Sequence, residues 1–240
     1  MKKLVLGSAG LIVLTVISGS ALAADLSRAP PVYTKAPVMT PLYNWNGFYL
    51  GINGGGGWGR SRFDFSGVGT TSGDFNTSGG LFGGTAGFNW QTSTFVFGVE
   101  GDGDWANIKG SAACPAVGFT CSTSDSWLAT ARARLGYAAN EWLFYVTGGG
   151  AFGDVKMATT FFPGQSVTKT GWTAGGGIEY GFAPNWSVKV EYLHVDLGSA
   201  GCSIPNCSLL TQANVPFRAE IVRAGLNWRF NWGGPVMAKY

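Results

Sequence analysis

From residue 46 to residue 230, bulky apolar residues alternate with small or polar ones. This period of two is the signature of extended strand with two chemically distinct faces. Eight segments carry it, roughly 46–58, 79–91, 94–105, 126–138, 141–153, 170–183, 185–196 and 217–230. Each is long enough to cross a bilayer as a tilted strand of about 9–11 residues. The connections alternate as well. Gln91-Thr92-Ser93, Ala139-Asn140 and Ala183-Pro184-Asn185 are tight, whereas 59–78, 106–125, 154–169 and 197–216 are long, polar and rich in Gly, Ser and Thr. Short turns on one side and long loops on the other, with an even strand number, predict an all-β fold: an eight-stranded antiparallel up-and-down transmembrane β-barrel.

The two faces can be read strand by strand. In 94–105, Phe95, Phe97, Val99 and Trp105 share one parity and Glu100, Asp102 and Asp104 the other. In 126–138, Trp127, Leu135 and Tyr137 oppose Arg132 and Arg134. Trp172, Ile178, Tyr180 and Phe182 oppose Glu179; Trp186, Val188, Val190 and Tyr192 oppose Lys189 and Glu191; Leu226 and Trp228 oppose Arg223 and Arg229. Aromatic residues concentrate at the ends of the apolar face, as a lipid-facing girdle requires. The charged parity then lines the lumen with five acids (Glu100, Asp102, Asp104, Glu179, Glu191) and five bases (Arg132, Arg134, Lys189, Arg223, Arg229). Glu100 with Arg132, and Glu179 with Lys189, sit at matching heights about their turns. Charges confined in so narrow a space must pair, because an unpaired one costs several kcal/mol. The lumen is therefore expected to be a filled ion-pair network rather than an open pore. The same arginines hold the carboxylates ionised, which argues against general acid and base chemistry there.

Composition sharpens this. Only 12% of residues are charged and 39 are glycine, where a water-soluble protein carries about 25% charged residues. Lys2 and Lys3, an apolar run to Ile17 and Ala21-Leu22-Ala23 form a secretory signal over 1–23; its removal lowers the formal net charge from +3 to +1. The remaining basic residues form no stripe, which excludes nucleic acid. Residues 24–44, with Pro30, Pro31, Pro37 and Pro41, read as an extended periplasmic lead-in to a barrel at 45–230, and 231–240 as a C-terminal extension. The cysteines fall as two close pairs, Cys114 with Cys121 and Cys202 with Cys207, expected to close local disulfides in an oxidising compartment. Zinc is disfavoured by the spacing and by the absence of nearby histidine; no metal and no cofactor is expected.

Runs such as Gly54-Gly55-Gly56-Gly57 lack the Lys-Ser/Thr of a phosphate loop and fit crowded strands. His194, the single histidine, lies near the outer rim close to Asp196 and Ser199. A lipid-modifying hydrolase would need such residues, yet His194-x-Asp196 fixes no nucleophile, and a headgroup-level rim residue is the simpler reading.

The phrases Ala24-Asp25-Leu26 with its prolines, WNGFYLGINGG at 45–55, WSVKVEYLHVDLG at 186–198 and VRAGLNWRF at 222–230 resemble the porin-like outer-membrane β-barrel family of alphaproteobacteria, the small surface proteins of Brucella and Rhizobium type. The resemblance spans essentially the whole mature chain. It implies an abundant, surface-exposed protein of the cell outer membrane, with lipid and lipopolysaccharide around it, and haemin or a host surface as partners outside. It makes His194 the candidate haem contact. The final phrase also resembles the signal read by the barrel-assembly machinery, carried by Val222, Ala224, Leu226, Trp228 and Phe230. The expected function is a structural, non-enzymatic barrel that anchors in the envelope and displays loops. A narrow porin-like channel or a haemin-binding receptor stands as the alternative, and a hydrolase behind both.

Overall fold

The computed structural model describes residues 43–65, 69–114, 120–160, 162–203 and 213–230. Eight long strands dominate it: β1 (Gly47–Ser61), β4 (Phe75–Thr92), β5 (Phe95–Ala113), β6 (Thr120–Ala139), β7 (Trp142–Thr159), β8 (Phe162–Ala183), β9 (Trp186–Cys202) and β10 (Ala213–Arg229). Each pairs antiparallel with the next, and β1 pairs with β10, which closes the ring. Closure removes both sheet edges, the condition for a β structure inside a bilayer. Two short strands, β2 (Asp64–Phe65) and β3 (Thr70–Thr71), form a small hairpin against the outer end of β10. The sequence pattern treats that stretch as loop.

The tight connections are two-residue turns. Ser93 and Asn140 each adopt a left-handed backbone there, with φ of 57° and 55°, a conformation that asparagine tolerates better than most residues.

The walls are inside-out relative to a soluble barrel. Phe97, Val99, Leu135, Val146, Val190 and Val222 all face outward, and the ten charged residues of the opposite parity are buried. Outward-facing Phe95 and Trp105 on β5 are about 33 Å apart along a strand rising ~3.3 Å per residue; at a tilt of about 40° this gives an apolar band about 25 Å tall, the height typical of outer-membrane barrels. Trp58, Phe82, Trp105, Trp127, Phe152 and Trp172 form its outer rim.

Above that rim the polarity of the wall inverts, which the sequence reading did not anticipate. Outward positions become polar: Arg60 on β1, Asn76 and Ser78 on β4, Lys109 on β5, Lys156 on β7 and Arg218 on β10. Inward positions become apolar: Phe63, Ile108, Val155, Met157, Leu193, Val195, Leu197, Phe217 and Ile221 are buried in one cluster. Register shifts in β5 and β6 fall at this level, between Trp105 and Ile108 and between Asp125 and Leu128. The outer part of the barrel is thus built like a soluble one, apolar inside and polar outside. The strands run on past the expected outer ends at residues 58, 79, 105, 126, 153, 170, 196 and 217, and the long loops are correspondingly shorter.

Candidate functional site: the charged lumen and the outer rim

The inward parity brings all ten expected charged residues into one buried cluster. Arg132 is its hub, 2.5 Å from Glu100, 2.5 Å from Asp102 and 3.0 Å from Glu191. Arg223 reaches Asp102 at 2.6 Å, Asp104 at 2.7 Å and Glu191 at 2.9 Å. Arg134 lies 2.8 Å from Glu179, and Arg229 is 3.7 Å from the same carboxylate. Charge-assisted contacts of this kind are the strong class of hydrogen bond, and here they fill the lumen with directional bonds.

Register explains part of the pairing and geometry the rest. Glu100 and Arg132 are cross-strand neighbours and bond to each other. Glu179 and Lys189 are also neighbours, yet Lys189 sends its ammonium across the lumen to Glu100 at 2.9 Å, while Glu179 is taken by Arg134, by the Ser187 hydroxyl at 2.5 Å and by the Asn227 amide at 2.9 Å. Two tyrosines that the sequence reading did not single out complete the network. The Tyr49 hydroxyl donates to Glu100 at 2.7 Å and accepts from Arg134 at 3.0 Å. The Tyr145 hydroxyl donates to Glu191 at 3.3 Å, and its ring lies 3.9 Å from the Arg134 guanidinium. Both share the inward parity of their strands, which was the available signal.

Glycine makes room for these side chains. Arg132 faces Gly149, Arg223 faces Gly55, Glu100 faces Gly87 and Glu191 faces Gly177 across their ladders. A Cβ at Gly149 would lie 2.7 Å from the Arg132 Cα, and one at Gly55 2.6 Å from the Arg223 Cα.

At the periplasmic end, residues 43–46 fold into the barrel mouth. Trp45 is fully buried, its backbone amide donates to Gln91 at 2.8 Å, and its ring lies 4.7 Å from the Arg229 guanidinium. The Tyr43 ring packs against Trp45 in a tilted arrangement, with centroids 4.5 Å apart. Burial holds the Tyr43 phenol above its ordinary range, with Arg229 partly offsetting it.

At the outer rim, His194 faces outward. Its Nδ1 lies 2.7 Å from Glu220, its ring is 5.2 Å from Trp172, and the Tyr192 hydroxyl donates to the same Glu220 at 2.5 Å. Asp196 turns instead to Arg218 at 2.9 Å, and Ser199 lies opposite Pro216 on β10. His194, Asp196 and Ser199 therefore do not assemble into a hydrolytic triad.

Residues 9–230 match the outer membrane protein beta-barrel domain family. The chain belongs to that family, and it resides in the outer membrane. It is 39% identical over 96% of its length to the 31 kDa outer-membrane immunogenic protein of Brucella melitensis, all of which is covered. It is 30% identical over 96% of its length to the 25 kDa outer-membrane immunogenic protein of Brucella canis, covering 99% of it. The 22 kDa outer membrane protein of Rhizobium leguminosarum is 32% identical over 69% of this chain and 70% of its own. Among solved structures, Neisserial surface protein A aligns with a TM-score of 0.43 at 15% identity, over 76% of this chain and 97% of that one.

In this outer-membrane barrel the Cys114–Cys121 bridge joins β5 and β6 at their outer tip, with Cα atoms 5.3 Å apart. Cys207 lies outside the described residues, as do the expected signal segment 1–23, the expected lead-in up to residue 42 and the expected extension 231–240. Val222, Ala224, Leu226 and Trp228 lie on the lipid face of β10, and the Phe230 amide donates to the Phe48 carbonyl at 2.8 Å, next to the strand seam.

Proposed function

We propose that this chain is a structural, non-enzymatic barrel that anchors in the outer membrane and presents its extracellular loops, with a lumen that does not conduct. The observation that carries the reading is the filled interior. Over the height of the bilayer it is spanned by the ion pairs of Arg132 and Arg223, and above the bilayer by the apolar cluster around Phe217 and Leu193. An ion entering would have to break several charge-assisted bonds and then cross a dry apolar layer. Planar-bilayer recording of the purified protein is expected to show no steady conductance. Sustained single-channel steps would sink the reading and favour the narrow channel.

A second reading, haemin capture at the surface, is supported by one arrangement. Glu220 occupies His194 Nδ1, the second-sphere contact that metal-binding histidines commonly use, which leaves Nε2 for iron. Haemin titration would test it: the Soret shift of the wild type should vanish in His194→Ala.

A further inference from the structure

Pairing of β1 with β10 places Arg60 directly opposite Arg218, and Trp58 opposite Glu220 one row nearer the bilayer. On the other side of β1, Asn76 faces Arg60 and Ser78 faces Trp58, and Lys109 of β5 faces Ser78. All of these residues point outward or stand partly exposed on the outer wall. Two arginines directly opposed on one face repel each other. The protein compensates only in part. Asp196 takes Arg218 at 2.9 Å, Asp64 takes Arg62 at 2.9 Å with Asp74 at 3.8 Å, and Glu220 is engaged by Tyr192 and His194. Arg60 and Lys109 make no ion pair with any described residue.

The level of this patch identifies what surrounds it. Trp58 belongs to the aromatic rim where the apolar band ends, and Arg60 stands one outward step, about 6–7 Å along the strand, beyond it. That is the depth of the first sugars and phosphates of the outer leaflet. Between β1, β4 and β10 the wall forms a groove of about 930 Å³ lined by Trp58, Arg60, Asn76, Ser78 and Arg218, with the carboxylates of Asp74 and Glu220 also on its lining, within the size range of small-molecule sites. We propose that this groove binds the phosphorylated sugar headgroup of an outer-leaflet glycolipid. The guanidinium forks of Arg60 and Arg218 grip phosphate bidentately, the exposed Trp58 indole offers a flat apolar face to a sugar ring, and Asn76 and Ser78 supply neutral hydrogen bonds to its hydroxyls. The acyl chains follow the apolar wall below. The bound phosphate relieves the Arg60–Arg218 repulsion. The proposal rests on the bilayer level of the rim and is indifferent to whether the lumen conducts.

The test uses the full mature chain folded in neutral phosphatidylcholine nanodiscs, with bound lipid counted by native mass spectrometry. The probes are an acylated disaccharide carrying two phosphates, the same lipid with the phosphates removed, and inorganic phosphate. The phosphorylated lipid is expected to bind about tenfold more tightly than its dephosphorylated form, a preference that Arg60→Gln with Arg218→Gln removes. Lys156→Gln, on β7 diametrically across the ring, should leave it intact. Heat-modifiable migration on gels certifies folding of each variant, and Arg60→Gln alone should still cost about threefold if the double variant does not fold. Equal binding of the two lipids, or undiminished preference in a folded double variant, overturns the proposal. Displacement of the lipid by millimolar inorganic phosphate would assign the groove to soluble anions and overturn the lipid assignment. A wild type without heat-modifiable migration would remove the bilayer level itself, a failure distinguishable from the others.

Discussion

Arg132 touches three carboxylates within 3.0 Å, so truncating it strands buried negative charge rather than merely deleting a contact. Arg132→Ala should destabilise the barrel by about 3–5 kcal/mol in reversible guanidinium unfolding from detergent or vesicles. Adding Glu100→Ala to it should cost much less than Glu100→Ala alone, because one partner is already gone; additive losses would show that the two are uncoupled. Glycines separate in the same way by what they face. Gly149→Val drives a side chain into the Arg132 backbone and should cost about 1–3 kcal/mol by overpacking. Gly103→Val, with nothing within 4 Å of its Cβ position, should leave stability unchanged in the same assay. Sequence distinguishes these residues only by parity. Which face Arg132 or Lys189 occupies can be read from alternation, but the partner cannot: Lys189 passes over its ladder neighbour Glu179 to reach Glu100, a choice set by the shear of the strands and the width of the lumen.

At the scale of a strand, the wall is two barrels in series. Outward positions inside the apolar band answer to lipid, and those above it answer to water. Val99→Arg, in the middle of the β5 band, should therefore cost about 2–4 kcal/mol of stability in vesicles, whereas Thr168→Arg on β8, beyond Trp172, should cost close to nothing. A uniform penalty at both positions would contradict the inversion. This inversion also accounts for which strand ends could be foreseen. The periplasmic ends are marked by tight turns at Ser93, Asn140 and Pro184, and the sequence pattern places them within a residue or two. The outer ends are not, because alternation continues through Leu193, Val195 and Leu197 while the apolar set crosses to the inner face. A reading that equates apolar with lipid stops at or soon after the point where that equation fails, at residue 105 in β5 and residue 196 in β9. In β6 a register shift also displaces the alternation between Asp125 and Leu128, so Asp125 turns inward among neighbours whose polar pattern reads as loop.

For the molecule as a whole, the local bridge between Cys114 and Cys121, seven residues apart, trims one tip without holding the ring. By chain entropy so short a loop contributes only about 2–2.5 kcal/mol. Reductant should leave the folded, heat-modifiable band in place while exposing the β5–β6 tip to protease; collapse of that band would assign the bridge a larger part. The ring itself is held elsewhere. Seven of its eight long ladders join successive long strands of the chain, with only the short β2–β3 hairpin intervening between β1 and β4, and each can form as a local hairpin. The eighth, thirteen residue pairs between β1 and β10 from Tyr49–Arg229 to Ser61–Phe217, joins the earliest strand to the last. Until β10 arrives, an emerging chain carries two raw edges that must be shielded from other chains. A premature stop anywhere before residue 213 would therefore yield not a smaller barrel but an open ribbon, and completion of the final strand is the event that turns the polypeptide from a hazard to its neighbours into a finished object.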